Sequence, residues 1–179
     1  MDLPEITRRV FLSRSLRTLG ALATLPLVAP GCSKAPAAPV PPGLRVFTAG
    51  EFAILSAVAD TLVPRGGAFP LGAADVHLAE RIDLFLSTQD PDVVKGLRGA
   101  LLILEYGGGP LAGRLGRFSR MGPEGRAAVL SALPHRFGLA RQIYLGLKQM
   151  CLFLFYCVHE SWPAIGYDGP WFGRKVPAP

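Results

Sequence analysis

From Met150 to Val158 the chain reads Met-Cys-Leu-Phe-Leu-Phe-Tyr-Cys-Val, nine residues without a charged side chain. In a helix this is about two and a half turns, apolar all round, and such a segment should be buried on most sides. It is too short to cross a bilayer, which takes about 20 apolar residues, and Lys148 and His159 flank it. It is therefore either the central core helix or a docking surface for a partner.

Either placement needs other helices, and their signals recur along the chain. Thr48 and Glu51 have capping-box spacing, and Phe52, Leu55, Ala59 and Leu62 follow at helical intervals until Val63-Pro64-Arg65-Gly66-Gly67. Asp75 is a good N-cap for a second helix with Val76, Ala79, Ile82, Phe85 and Leu86 on one side. Asp90-Pro91 places a cap before a proline at the first helical position. It opens a third helix through Val93, Val94, Leu97, Leu101 and Leu104, which Gly107-Gly108-Gly109 closes. Residues 110–122 read as weakly helical or irregular, Pro123 opens a fourth helix through Leu133, and a fifth runs from about Arg136 to Ser161 before Trp162-Pro163. No stretch alternates as a strand would. The predicted fold is all-α: a small bundle or array of about five helices with an irregular, aromatic C-terminal tail.

Residues 1–34 read as a targeting segment, 35–43 as a Pro/Ala tether and 44–179 as the helical domain. Thr7-Arg8-Arg9-Val10-Phe11-Leu12 resembles the twin-arginine export consensus, with Arg8, Arg9, Phe11 and Leu12 as its marks. The apolar stretch from Leu19 to Ala29 is soft, interrupted by Gly20 and Pro26, which suits that route. Ala29-Pro30-Gly31-Cys32 ends with the small residue and cysteine of a lipoprotein signal. Lipidation of Cys32 and cleavage near Ala37 both stand as readings, the first giving a membrane-anchored periplasmic protein. Membrane contact is expected only through the signal or the lipid. The twin-arginine route carries folded cargo, which suits a protein that leaves with a cofactor or a partner already in place.

The net charge of +6 divides evenly. Residues 1–34 carry five basic and two acidic side chains; the remainder carries 14 and 11. The basic residues of the mature part are scattered among acids, with no basic run beyond Arg174-Lys175, which argues against a nucleic-acid partner.

A chemical site is hard to find. Cys32, Cys151 and Cys157 make no haem, zinc or iron–sulfur spacing. On one helix Cys151 and Cys157 stand about 9 Å apart along the axis, too far for a disulfide. They read as buried small apolar residues, or as partners of another element or chain. His77, His135 and His159 lie in no ligand motif, and Glu80, Asp83 and Glu105 read as solvated carboxylates. No catalytic, cofactor-binding or metal-binding residue is expected. The tail from Ile165 to Gly173 sets Tyr167, Trp171 and Phe172 among glycines and Pro170. Aromatics there pack either on the domain or on a neighbour. The candidate partner interface is Phe153, Phe155, Tyr156, Trp162, Tyr167, Pro170 and Trp171.

Three segments together resemble the gluconate 2-dehydrogenase subunit 3 family. They are the leader Thr7–Leu12, the stretch Leu55-Ser56-Ala57-Val58-Ala59-Asp60-Thr61-Leu62-Val63-Pro64 with Ile82-Asp83-Leu84-Phe85-Leu86 after it, and the tail Ile165–Trp171. The resemblance implies the small subunit of a periplasmic dehydrogenase complex. Its large subunit is FAD-dependent and of the glucose–methanol–choline type, often with a multihaem cytochrome c as acceptor. In that family the small subunit is thought to carry the large one through the Tat translocon. FAD would then belong to the partner and not to this chain. The alternative is a stand-alone periplasmic lipoprotein or binding module.

Overall fold

Thr48 closes the first turn of helix α1, Ala49–Leu62, as the spacing predicts: its Oγ1 accepts from the Glu51 N–H, and Glu51 Oε2 accepts from the Thr48 N–H. The structure, a computed structural model, describes residues 40–170 apart from 68, 69 and 137. The leader residues Arg8, Arg9, Phe11, Leu12 and Cys32, most of the Pro/Ala stretch and Trp171 lie outside the described residues. After α1 come α2 (Leu78–Leu86), α3 (Pro91–Leu111), α4 (Pro123–Ala132) and α5 (Leu139–Tyr156), with short 3-10 turns between and after them. The described residues contain no strand, so the fold is all-α.

The central helix is α1, not the apolar run of α5. Phe52 and every residue from Ile54 to Ala59 are buried, because α2, α3, α4 and α5 all pack around α1. Helix α5 buries only Ile143, Leu147, Cys151 and Phe155, at steps of four. The expectation that its run is covered on most sides holds only in part: Cys151 and Phe155 are fully buried, Met150, Leu152 and Leu154 are half-buried against the core, and Phe153 and Tyr156 stay on the surface.

Other boundaries differ for identifiable reasons. The glycines 107–109 do not end α3, which continues to Leu111. Gly109 admits a close neighbour instead: a Cβ there would lie 2.9 Å from the carbonyl oxygens of both Arg114 and Gly116. Asp75 does not cap α2. It sits in a 3-10 turn, Ala74–Val76, where its carboxylate accepts from Arg65 and from the Gly72 N–H at 2.8 Å. His77 then adopts a left-handed conformation (φ 50°), so α2 begins only at Leu78. Helix α5 starts at Leu139 rather than Arg136 because Gly138 breaks the path with φ 67°. It ends at Tyr156 because Val158 is extended and turns into the core.

Carboxylates fasten these elements. Asp83, expected on a solvated face, is buried and accepts the N–H groups of Arg45, Val46 and Phe47 at 2.7, 3.0 and 2.9 Å. Glu105, also buried, accepts the backbone N–H and hydroxyl of Ser119, each at 2.8 Å. Glu51 ties α1 to α3 through both Nε and Nη2 of Arg98. Partial burial works to raise the Glu51 carboxyl, but Arg98 and Thr48 outweigh it and hold it below the ordinary range.

Candidate interaction surfaces

The residues proposed from the sequence as a partner interface separate into three groups. Phe155 is 0% exposed, with its ring edge-on to Tyr156; it belongs to the core and offers nothing to a partner, which corrects its assignment. Trp162 and Tyr167 pack on their own domain. The Trp162 ring stands 4.1 Å from the His159 imidazole and 4.9 Å from the Tyr167 ring, centroid to centroid, and its Nε1 donates to the Tyr156 carbonyl at 2.8 Å. The tail folds back because Gly166 turns with φ 66° and the Tyr167 N–H reaches the Trp162 carbonyl. Pro170 is exposed at the end of the described residues.

Phe153 and Tyr156 form the third group. Phe153 is 58% exposed, and its ring meets that of Phe85 on α2 at 6.3 Å, a tilted aromatic pair open to solvent. Leu145 lies on the same outward half of α5, and Leu139, at the first turn of the helix, is exposed as well. No acidic side chain occurs anywhere in α5; its only charges are Arg141 and Lys148. These stand seven residues apart, hence on one edge of the helix.

The cysteines differ in the same way. Cys151 is buried, and burial pushes its thiol up to about 12, so it carries almost no thiolate at neutral pH. Cys157 is exposed. A folded Cys32→Ser protein should therefore titrate one thiol with a disulfide reagent at pH 8, and the second only after unfolding. Two fast thiols would mean that the Cys151 stripe of α5 is not packed.

One arrangement was not legible in the sequence. Asp60, near the end of α1, lines two adjoining depressions of about 220 and 640 Å³. Ser56, His77 and Glu80 border the smaller one; Arg126 at the start of α4 borders the larger. Asp60 reads as an ordinary polar-face residue in Ala59-Asp60-Thr61, and only the packing of α4 and the 72–80 segment makes it a groove residue. Desolvation in the groove raises its carboxyl above the ordinary range; the charge of Glu80 adds to this and that of Arg126 opposes it. A raised carboxyl costs stability once it ionises in the fold. Asp60→Asn should therefore raise the melting temperature at pH 7 and leave it unchanged near pH 3. Melting curves of the two proteins that stay parallel over this range would refute the desolvation.

Among the described residues no group of three or more histidine, cysteine, aspartate or glutamate side chains is placed to hold a metal ion. No helix among them is long and apolar enough to cross a membrane. No protein-family model, no curated protein and no solved structure matches the chain.

Proposed function

We propose that this chain is a non-catalytic small subunit of a periplasmic FAD-dependent dehydrogenase complex acting on a sugar, alcohol or gluconate. In this role residues 44–179 hold and stabilise a large flavoprotein in the cytoplasm. The leader with Arg8 and Arg9 then takes the assembled pair through the Tat translocon. A cytochrome c subunit would complete the complex and receive the electrons.

The observation that carries the reading is the union of a folded-cargo leader with a small helical domain whose last long helix leaves Phe153, Leu139 and Leu145 in solvent. An apolar helix face on so small a domain favours a partner. The family resemblance supplies the flavin and the class of reaction.

The Arg8→Lys, Arg9→Lys double variant tests this. Both polypeptides should remain in the cytoplasm, and the flavin absorbance that purifies with the wild-type chain should vanish from the periplasmic fraction. A flavoprotein that still reaches the periplasm in the variant refutes the carrier role.

The Asp60 groove favours a second reading, a stand-alone periplasmic binding module. Purification separates the two: a yellow complex supports the first and a colourless monomer the second.

A further inference from the structure

We infer that the outward face of α5 is a docking surface for a different protein whose contacting surface is apolar and bears carboxylates along one edge. The inference rests on the accessory-subunit reading and names the face and the charge pattern that serve it.

Helix α5 divides into two halves. Ile143, Leu147, Cys151 and Phe155 face the core, Leu145 and Phe153 project from the other side, and Leu139, at the first turn of the helix, is exposed as well. The outward half also holds Gln142 and Gln149, which are neutral, and Gly146, where a built Cβ meets nothing within 4 Å. A partner backbone can therefore approach closely at the middle of the helix. Phe85 of α2 extends the apolar strip beside Phe153. Along the opposite edge Arg141 and Lys148 are both exposed, and Lys148 is held over the Tyr144 ring, 5.7 Å from its centroid. The face thus runs from Phe153 and Phe85 across Gln142 and Gln149 to Leu145, which adjoins Arg141 and Lys148 at i−4 and i+3, and it is basic on that side only.

That margin decides the occupant. A second copy of this chain fits badly. Two antiparallel copies of α5 set like edges against each other, Arg141 and Lys148 against the same pair, and α5 has no carboxylate to answer them. Parallel copies lay each basic edge against the neutral, apolar one. The chain's own residues 171–179 add Arg174 and Lys175 and no acidic side chain. A different protein with acidic residues along one margin satisfies both the strip and the edge, and its charges fix the register in which it docks.

The test uses the complex purified from its native host through a tag on the full chain. Carbodiimide coupling joins the Lys148 amine directly to any carboxylate that touches it, and mass spectrometry identifies the joined peptides. The expected product links Lys148 to an aspartate or glutamate of a second polypeptide. In parallel, Phe153→Ser should speed dissociation of that polypeptide by about tenfold or more. Arg141→Glu with Lys148→Glu should weaken association at low salt, with the difference from wild type narrowing at high salt. All three positions are exposed, so the variants should melt with the wild type, which separates lost docking from lost folding. Coupling of Lys148 to this same chain or to a second copy of it overturns the inference. So does tight binding of the wild-type chain to phosphatidylglycerol vesicles that the double variant loses, since the face would then meet lipid. Unchanged association in every variant overturns it as well. If flavin still accompanies the Phe153→Ser and Glu variants, the face is wrong and the accessory role stands. If Lys148 couples to a protein that binds no flavin, the face stands and the flavoprotein reading falls.

Discussion

Phe155→Ala should destabilise the domain by about 4 kcal/mol, whereas Phe153→Ala should cost less than about 1 kcal/mol. The two rings are two residues apart in one helix and were equivalent candidates for a partner surface. Their surroundings differ completely. Phe155 is 0% exposed and lies beyond Cys151 and Leu147 on the buried stripe; removing its ring leaves a cavity against α1, α2 and their neighbours. Phe153 is 58% exposed and loses little more than its contact with Phe85. Urea unfolding followed by circular dichroism at 222 nm measures both. A stable domain holds only about 5–15 kcal/mol in reserve, so the first variant should show a much lower midpoint at an unchanged slope. Equal, small effects would mean that α5 does not rest on the core through this stripe, and the division of the helix into a packed and an open half would fail with it.

The helical class and most of the helix starts were legible because their signals are local. Thr48 with Glu51, and Asp90 with Pro91, specify their caps within three residues, and the structure builds both. Signals that depend on distant partners misled. Gly107, Gly108 and Gly109 look like a helix end, since glycine usually weakens a helix. Gly108 and Gly109 are instead places of close approach, the first to Val129 of α4 and the second to the return of residues 114–121, which no local pattern announces. Asp75 has the composition of a cap, but the sequence does not say that Arg65 waits for it across a loop. Asp83 and Glu105 look like ordinary solvated acids in amphipathic helices; their backbone donors lie 36 to 38 and 14 residues away. The run Met150–Val158 misled in the opposite sense. Uniform apolarity suggests burial on most sides, yet within the helix only Cys151 and Phe155 are fully buried, Met150, Leu152 and Leu154 are half-buried against the core, and Phe153 and Tyr156 face solvent. The Asp60 groove left no trace in the sequence because its walls come from three separate segments. The division of the outward residues of α5 into apolar strip and basic margin was within reach, since Arg141 and Lys148 share an edge at a spacing of seven. It became meaningful only once the buried stripe fixed which half faced out.

Asp83→Ala should cost about 3 kcal/mol and lower the melting temperature by about 10 °C. The side chain is buried near the middle of α2, and it is the common acceptor for three successive backbone donors, Arg45, Val46 and Phe47. These residues have no regular structure of their own, so their N–H groups find no helix or strand partner if the carboxylate is removed. Phe47 is itself 4% exposed, so its N–H loses its acceptor where water has little access. The same clasp sets where α1 begins, because Thr48 caps the helix immediately after the third donor. Loss of Asp83 should therefore loosen the entry to the central helix as well as lower global stability. Hydrogen exchange distinguishes this from a general weakening: the amides of residues 45–47 should lose protection first, with those of Leu55 and Val58 following only at the new global limit. Asp83→Asn is the sharper comparison. Its Oδ1 can still accept from Val46 and Phe47, but its amide nitrogen faces the Arg45 N–H, donor against donor, so about half of the loss should remain. An alanine variant that melts within 2 °C of the wild type would show that water takes over all three donors and that the clasp does not hold the chain to α2.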